Sequence, residues 1–202
     1  MVFLEKILDT KLSMMRIISG NFKGKKIFLP TSVKTRPLKD MVKESIFNLI
    51  LHSKKIDIKI TNSNILDLFS GSGSFGLECV SRGAKKVIFV ENYFDTLKIL
   101  KKNINAFKSL DTCEIIEKNC FSFLEKNFKL NIKFDLIFLD PPYKEKKINI
   151  LLEKIKDLKI LKNNGIIIIH RHKKDRIKIS EKFKVLDERD YGISKIFIGN
   201  FN

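Results

Sequence analysis

A chain of 202 residues, 44% hydrophobic and 31% charged, is long enough for one sizeable core, short for two domains, and too apolar to be wholly disordered. Forty Lys and Arg against 23 Asp and Glu give a net charge of +17, which predicts attraction to a polyanion such as nucleic acid, although an AT-rich genome favouring Lys, Ile and Asn gives the same balance. No apolar run nears the ~18 residues of a membrane span, and three cysteines (Cys79, Cys113, Cys120) without a C-x-x-C pair argue against a disulfide framework and against zinc, so a cytoplasmic protein without a metal is expected.

Met1–Met14 reads as a weakly helical extension, and Glu5, Lys6 and Asp9 break any secretory apolar run. Residues 16–202 read as one unit: a basic hairpin over 16–36, a linking helix over 37–53 and a core over 64–202. From Arg16 to Pro30 two short β-like runs flank a Gly/Asn connection. Eight basic residues against two acidic ones lie between Arg16 and Glu44, so positive charge is concentrated there. Pro37 opens a helix to about His52 whose Met41, Ile46, Phe47 and Ile50 share one face. Strands then follow at 64–69, 85–91, 113–117, 134–139 and 165–170. The helices fall after the glycine loop to Arg82, over 93–108 with Phe94, Leu97, Leu100, Ile104 and Phe107 apolar, near 121–127, and over 146–159. Phe183–Asp190 and Ile193–Gly199 read as an antiparallel hairpin turning at Tyr191-Gly192. This alternation predicts an α/β fold, a mostly parallel sheet with helices on both faces.

The segment Gly71-Ser-Gly-Ser-Phe-Gly76 is a G-x-G-x-x-G match between strand and helix, where nucleotide folds place it. It is compatible with NAD, FAD or S-adenosylmethionine, or with a tight turn that binds nothing. Asp67 at the preceding strand end would repel a pyrophosphate but favour the ammonium or ribose hydroxyls of S-adenosylmethionine; Glu91 suits a ribose in either cofactor. The sharpest motif is Asp140-Pro141-Pro142-Tyr143 after the apolar strand 134–139. Two prolines fix φ and stop ladder pairing, so the strand end turns rigidly. The Asp140 carboxylate and Pro141 carbonyl can then accept hydrogen bonds from one exocyclic amine and aim its lone pair at an electrophilic methyl. Tyr143 can stack on the base.

The segments RIISGNFKGKKI and RP..D.V.ES.FN within 16–48, LDLFSGSGSFGLECVSRGA (66–84), DLIFLDPPY (135–143) and RDYG (189–192) together resemble the RsmD-type 16S ribosomal RNA guanine-N2 methyltransferases. The resemblance covers nearly everything after Met14. It implies a class I methyltransferase fold with a seven-stranded sheet and a reversed C-terminal hairpin. It also implies S-adenosylmethionine as donor and a guanine near the decoding region of the small ribosomal subunit, or of its assembly intermediate, as acceptor for a monomeric enzyme. By position it assigns Asp67, Ser70, Gly71, Ser72 and Gly73 to the donor loop and Glu91 to the ribose. Asn119 falls to the adenine amino group with Cys120 beside it, and Asp140, Pro141, Pro142 and Tyr143 to catalysis. The chain departs from the family pattern at Ser19, Leu38, His170 (where Glu is common) and Ile193.

Arg16, Lys23, Lys25, Lys26, Lys34 and Arg36 near the hairpin, and Arg171, Lys173, Lys174 and Arg176 after a strand end, are the candidate RNA phosphate contacts. His52, His170 and His172 lack metal-ligand spacing and read as surface or strand-end residues. Two other readings stay open: a DNA adenine-amino methyltransferase, and a non-catalytic RNA-binding assembly factor on the same fold. An NAD oxidoreductase is disfavoured by the absence of a separate substrate region.

Overall fold

The computed structural model describes residues 15–30, 38–108, 111–125, 131–175 and 178–201. The expectations for Met1–Met14, Lys34, Arg36, Pro37 and Arg176 lie outside them.

The first hairpin is small. β1 (Met15–Arg16) pairs antiparallel with β2 (Lys26–Ile27), and the Ile17 N–H to Lys25 carbonyl bond at 2.9 Å extends it by one rung. Helix α1 (Asp40–His52) follows, then β3 (Asn64–Leu68), α2 (Ser74–Ser81), β4 (Lys86–Val90), α3 (Phe94–Phe107), β5 (Cys113–Ile116) and the single turn α4 (Cys120–Phe123). β6 (Phe134–Leu139), α5 (Ile148–Leu158), β7 (Leu161–His172), β8 (Phe183–Tyr191) and β9 (Ser194–Phe201) complete the chain. The large sheet has the order β5-β4-β3-β6-β7-β9-β8, parallel through β7, with β9 inserted antiparallel between β7 and β8.

Alternation along the strands explains the two-sided core. On β6, Leu136 and Phe138 face one cluster while Ile137 and Leu139 face the other; on β7, Ile166 and Ile168 are opposed to Ile167 and Ile169. The first cluster takes in α1, α2, α3 and the hairpin residues Met15, Ile17 and Ile27; the second takes in α4 and α5. Sheet order reverses at β3, which has β4 on one side and β6 on the other. Such a switch point opens a crevice at the strands' carboxyl ends.

Three details depart from expectation. β7 starts at Leu161, ahead of Gly165, because Leu161 pairs with Phe134 across a register shift and Lys162 bonds Asp135 at 2.9 Å, which holds a polar segment in the ladder. On α1 the buried stripe is Val42, Lys43, Ile46, Phe47 and Ile50, whereas Met41 is 69% exposed. Lys43 takes the inward position because Glu78 of α2 meets it there. Phe94 opens α3 but is exposed, ahead of the first packed turn at Leu97.

Candidate active site

Backbone geometry shapes the crevice floor. After β3 the chain turns through Phe69 and Gly71, both at positive φ (60° and 56°), and α2 begins after Gly73 at φ 80°. A Cβ on Gly76 would lie 2.2 Å from the Phe89 ring and 3.0 Å from Asp67, so helix and strand approach too closely for any side chain there. The Asp67 carboxylate accepts the Gly76 N–H at 3.0 Å, and Glu91 reaches back to the Gly71 N–H at 2.9 Å. Glu91 also accepts the N–H groups of Asn92 and Tyr93, each at 2.8 Å. Three of roughly four lone-pair sites on that carboxylate are thereby used, leaving one for a ligand hydroxyl.

The glycine loop and the diproline corner share one cavity of about 600 Å³. Asp67, Ser70, Gly71, Ser72 and Glu91 line one part; Asn119 and Phe121 line a second; Asp140 to Tyr143 and His170 line a third. Phe75 and Phe138 stack at 3.9 Å between them, with Phe47 of α1 stacked on Phe75 at 5.2 Å. Asp67, Glu91, Asp140 and Glu145 therefore line one space, with Lys144 among them. Burial first, then the charges of Asp140 and Glu91, pushes the Asp67 carboxyl well above its ordinary value, against the pull of the Gly76 N–H. A cationic ligand reverses part of that cost, and an anionic one adds to it.

The residues fit S-adenosylmethionine on these observations. Glycine backbone at Gly71 is open toward the cavity, its Cβ position meeting nothing nearer than 4.0 Å. Aromatic Tyr93 and Phe121 are in the cavity wall, and Asp67, Glu91 and Asp140 beside them suit a cationic ligand. Asn119 caps α4 by accepting the Phe121 N–H at 2.9 Å. Two residues assigned to the donor stand apart from the cavity wall. Gly73 supports the loop from below, where a Cβ would meet Leu100 at 2.6 Å. Cys120 is buried in the second core cluster, its thiol pushed up to about 12 by burial.

The diproline corner is held from β7 by consecutive residues. Asp140 Oδ1 lies 2.7 Å from His170 Nδ1, and Pro141 is buried. The Arg171 guanidinium donates to the carbonyls of Pro142 (3.2 Å), Tyr143 (3.0 Å) and Glu145 (2.8 Å) and pairs with Asp175. Tyr143 meets the His172 ring edge-on at 5.1 Å. This corrects two expectations. Arg171, at 1% exposure, spends its charge on the loop and is no phosphate contact, and His170, at 5%, is a buried site residue.

The remaining candidate cations divide by exposure. Arg16, Lys23, Lys26, Lys173 and Lys174 are exposed, whereas Lys25 is half-buried, with its ammonium on the Ala106 carbonyl and 4.5 Å from the Phe107 ring centroid. The hairpin itself is fastened by α2. Glu78 accepts the N–H groups of Ile18 (2.8 Å) and Ser19 (3.0 Å), while Arg82 Nε and Lys43 Nζ lie at 2.9 and 3.7 Å. Asn103 of α3 spans Phe28 and the Ser72 carbonyl at 2.8–3.0 Å, which ties the chain after β2 to the glycine loop. Sequence reading missed Glu78, Lys43 and Asn103, since each looks like an ordinary helix-surface residue until its partners are placed. Among the described residues there is no group of three His, Cys, Asp or Glu able to hold a metal, and no helix long and apolar enough to cross a membrane.

A family model described as "Conserved hypothetical protein 95" matches residues 15–200. The ribosomal RNA small subunit methyltransferase D of Haemophilus influenzae is 36% identical over 184 residues, 89% of this chain and 90% of that protein. A putative rRNA methyltransferase of Bacillus subtilis is 32% identical over 185 residues, 91% and 97% of the two chains. Among solved structures, a putative methylase from Haemophilus influenzae has a TM-score of 0.74 at 30% identity, covering 94% of this chain and 100% of its own. A putative methyltransferase from Escherichia coli, at 23% identity, has the same fold with a TM-score of 0.79 over 94% and 99%.

Proposed function

This chain belongs to the family described as conserved hypothetical protein 95, and we propose that it transfers a methyl group from S-adenosylmethionine to the exocyclic N2 amine of a guanine in small-subunit ribosomal RNA. The observation that carries the reading is that the Asp140–Tyr143 corner and the Asp67/Gly71/Glu91 loop line one cavity. When bound, S-adenosylmethionine supplies an electrophilic methyl on a sulfonium. The chain's own residues bring the amine to it. Asp140 and the Pro141 carbonyl accept the two N–H bonds of the amine, whose lone pair is otherwise delocalised into the ring, and turn that pair toward the methyl. Tyr143, steadied edge-on by His172, offers a face on which the splayed base stacks, worth about 1–3 kcal/mol per base. The nitrogen sheds its extra proton to water, so no dedicated base is required. Carboxylates around the cavity favour a cationic donor, while the exposed Arg16, Lys23, Lys26 and Lys173 offer salt-dependent contacts to RNA phosphates.

On this reading residues 16–202 act as one methyltransferase unit, as a monomer, in the cytoplasm, on the small subunit or an assembly intermediate. The test is an acceptor panel with labelled donor: small subunits lacking the modification, free 16S rRNA, and double-stranded DNA containing adenine. Digestion to nucleosides should give N2-methylguanosine from an RNA acceptor. Label recovered as N6-methyl-2′-deoxyadenosine from the DNA, or none from any acceptor despite donor binding, contradicts the assignment.

A further inference from the structure

His170 is buried at the end of β7 with both ring nitrogens engaged. Nδ1 is 2.7 Å from Asp140 Oδ1 and Nε2 is 2.9 Å from Ser194 Oγ on β9. An ionised carboxylate only accepts, so the contact to Asp140 requires the proton on Nδ1, and in the neutral ring Nε2 then accepts from the Ser194 hydroxyl. Ser194 is 5% exposed and its strand is paired with β7, so the ring is held at both ends by backbone-anchored groups. The imidazole is thus the donor that ties the Asp140 side chain to the sheet. Without it, Asp140 could rotate about χ1 and χ2 and leave its place at the cavity.

We infer that His170 is a positioning residue for methyl transfer: together with Ser194 it ties down Oδ1 of Asp140, so that Oδ2 and the Pro141 carbonyl form a fixed pair of acceptors for one amino group. The assignment of Asp140 to the acceptor amine rests on the methyl-transfer reading above; the held carboxylate itself does not. Two substitutions separate the ring nitrogens. In His170→Asn the side-chain amide reaches roughly where Nδ1 stood and can still donate to Asp140. In His170→Gln the amide extends toward the Nε2 position and Ser194, leaving Asp140 unheld. Both are polar, and both alter packing.

Steady-state methyl transfer to the RNA acceptor is compared for these variants, with affinity for S-adenosylhomocysteine and thermal melting as controls. The expected result is a fall in kcat of tenfold or more for His170→Gln, with recovery to within about threefold of the parent for His170→Asn, and product affinity within twofold in both. Equal loss in the two variants, loss confined to the acceptor KM, or unchanged kcat in His170→Gln overturns the inference. Ring-nitrogen NMR of the free protein provides a second readout, independent of activity and of whether either variant folds. Nδ1 of His170 should carry the proton, and a ring protonated on Nε2 alone overturns the positioning claim, whereas failure of all acceptors with Nδ1 protonated counts against the proposed function only.

Discussion

Replacing Glu78 with alanine tests how the hairpin is joined to the core. Glu78 is fully buried and serves four partners: two hairpin N–H groups, Arg82 and Lys43. Burial lowers the Lys43 pKa, while the charges of Glu78 and Asp40 raise it. Removing Glu78 leaves Lys43 with Asp40 at 3.5 Å, the Arg16 carbonyl at 2.8 Å and Ser74 at 3.2 Å. Breaking one side of a buried ion pair costs about 3–5 kcal/mol. Each orphaned N–H adds about 1–3 kcal/mol when water cannot reach it, but Ile18 and Ser19 are half-buried and recover part of that. These losses belong to one network and do not add, so the expected total is about 3–5 kcal/mol, a large share of the roughly 5–15 kcal/mol of a typical domain. Lys43→Met should cost less, about 1–3 kcal/mol, because Glu78 keeps Arg82 and both N–H groups. The double variant Lys43→Met/Glu78→Ala should cost less than the two single losses together. Urea unfolding measures all three. A Glu78→Ala loss below about 1 kcal/mol, or strict additivity in the cycle, refutes this picture of the junction.

Other expectations follow from single contacts. Gly20→Ala puts a Cβ 1.9 Å from the Ser81 carbonyl oxygen at φ 84°, so the hairpin must lift from α2; methylation of RNA should fall well before donor affinity does, read by separate transfer and calorimetric assays. Asp67→Asn preserves an acceptor for Gly76 and removes a carboxylate whose pKa is raised in the fold. Because the folded state holds that proton to higher pH than the unfolded chain, wild-type stability declines as pH rises from the usual carboxylate range through the raised value. The Asp67→Asn variant should therefore melt at a higher temperature near neutral pH while binding the cationic donor roughly 10–100-fold more weakly, the worth of one charged hydrogen bond. Arg171→Lys keeps the charge but cannot bridge three carbonyls; it should cost about 1.5–3 kcal/mol in urea unfolding and lower kcat through the loosened Pro142–Glu145 loop.

The parts of the site that could be read from the sequence are those that constrain the backbone. Gly71, Gly73 and Gly76 announce close approach, and Pro141-Pro142 announces a strand that cannot continue, so both corners of the cavity could be placed from the chain alone. What stayed hidden depends on which strands become neighbours. His170 meets Ser194 only because β9 inserts between β7 and β8, and nothing local to either residue encodes that order. Helix faces misled where charge is buried: periodicity favours Met41 as a core residue, but the inward turn of α1 belongs to Lys43 because α2 supplies Glu78. Arg171 looked like one more surface cation of a basic chain, yet its place on β7 points it under the loop.

The proposed chemistry turns on Asp140 holding the acceptor amine beside the donor. Single-turnover methyl transfer with donor already bound, comparing the parent protein with Asp140→Ala, isolates that step. A loss of roughly a hundredfold or more in the transfer rate is expected, the scale of one positioned charged contact in a transition state, with affinity for S-adenosylhomocysteine within twofold. Methylation of guanine N2 that persists at the parental rate in Asp140→Ala would remove Asp140 from the reaction.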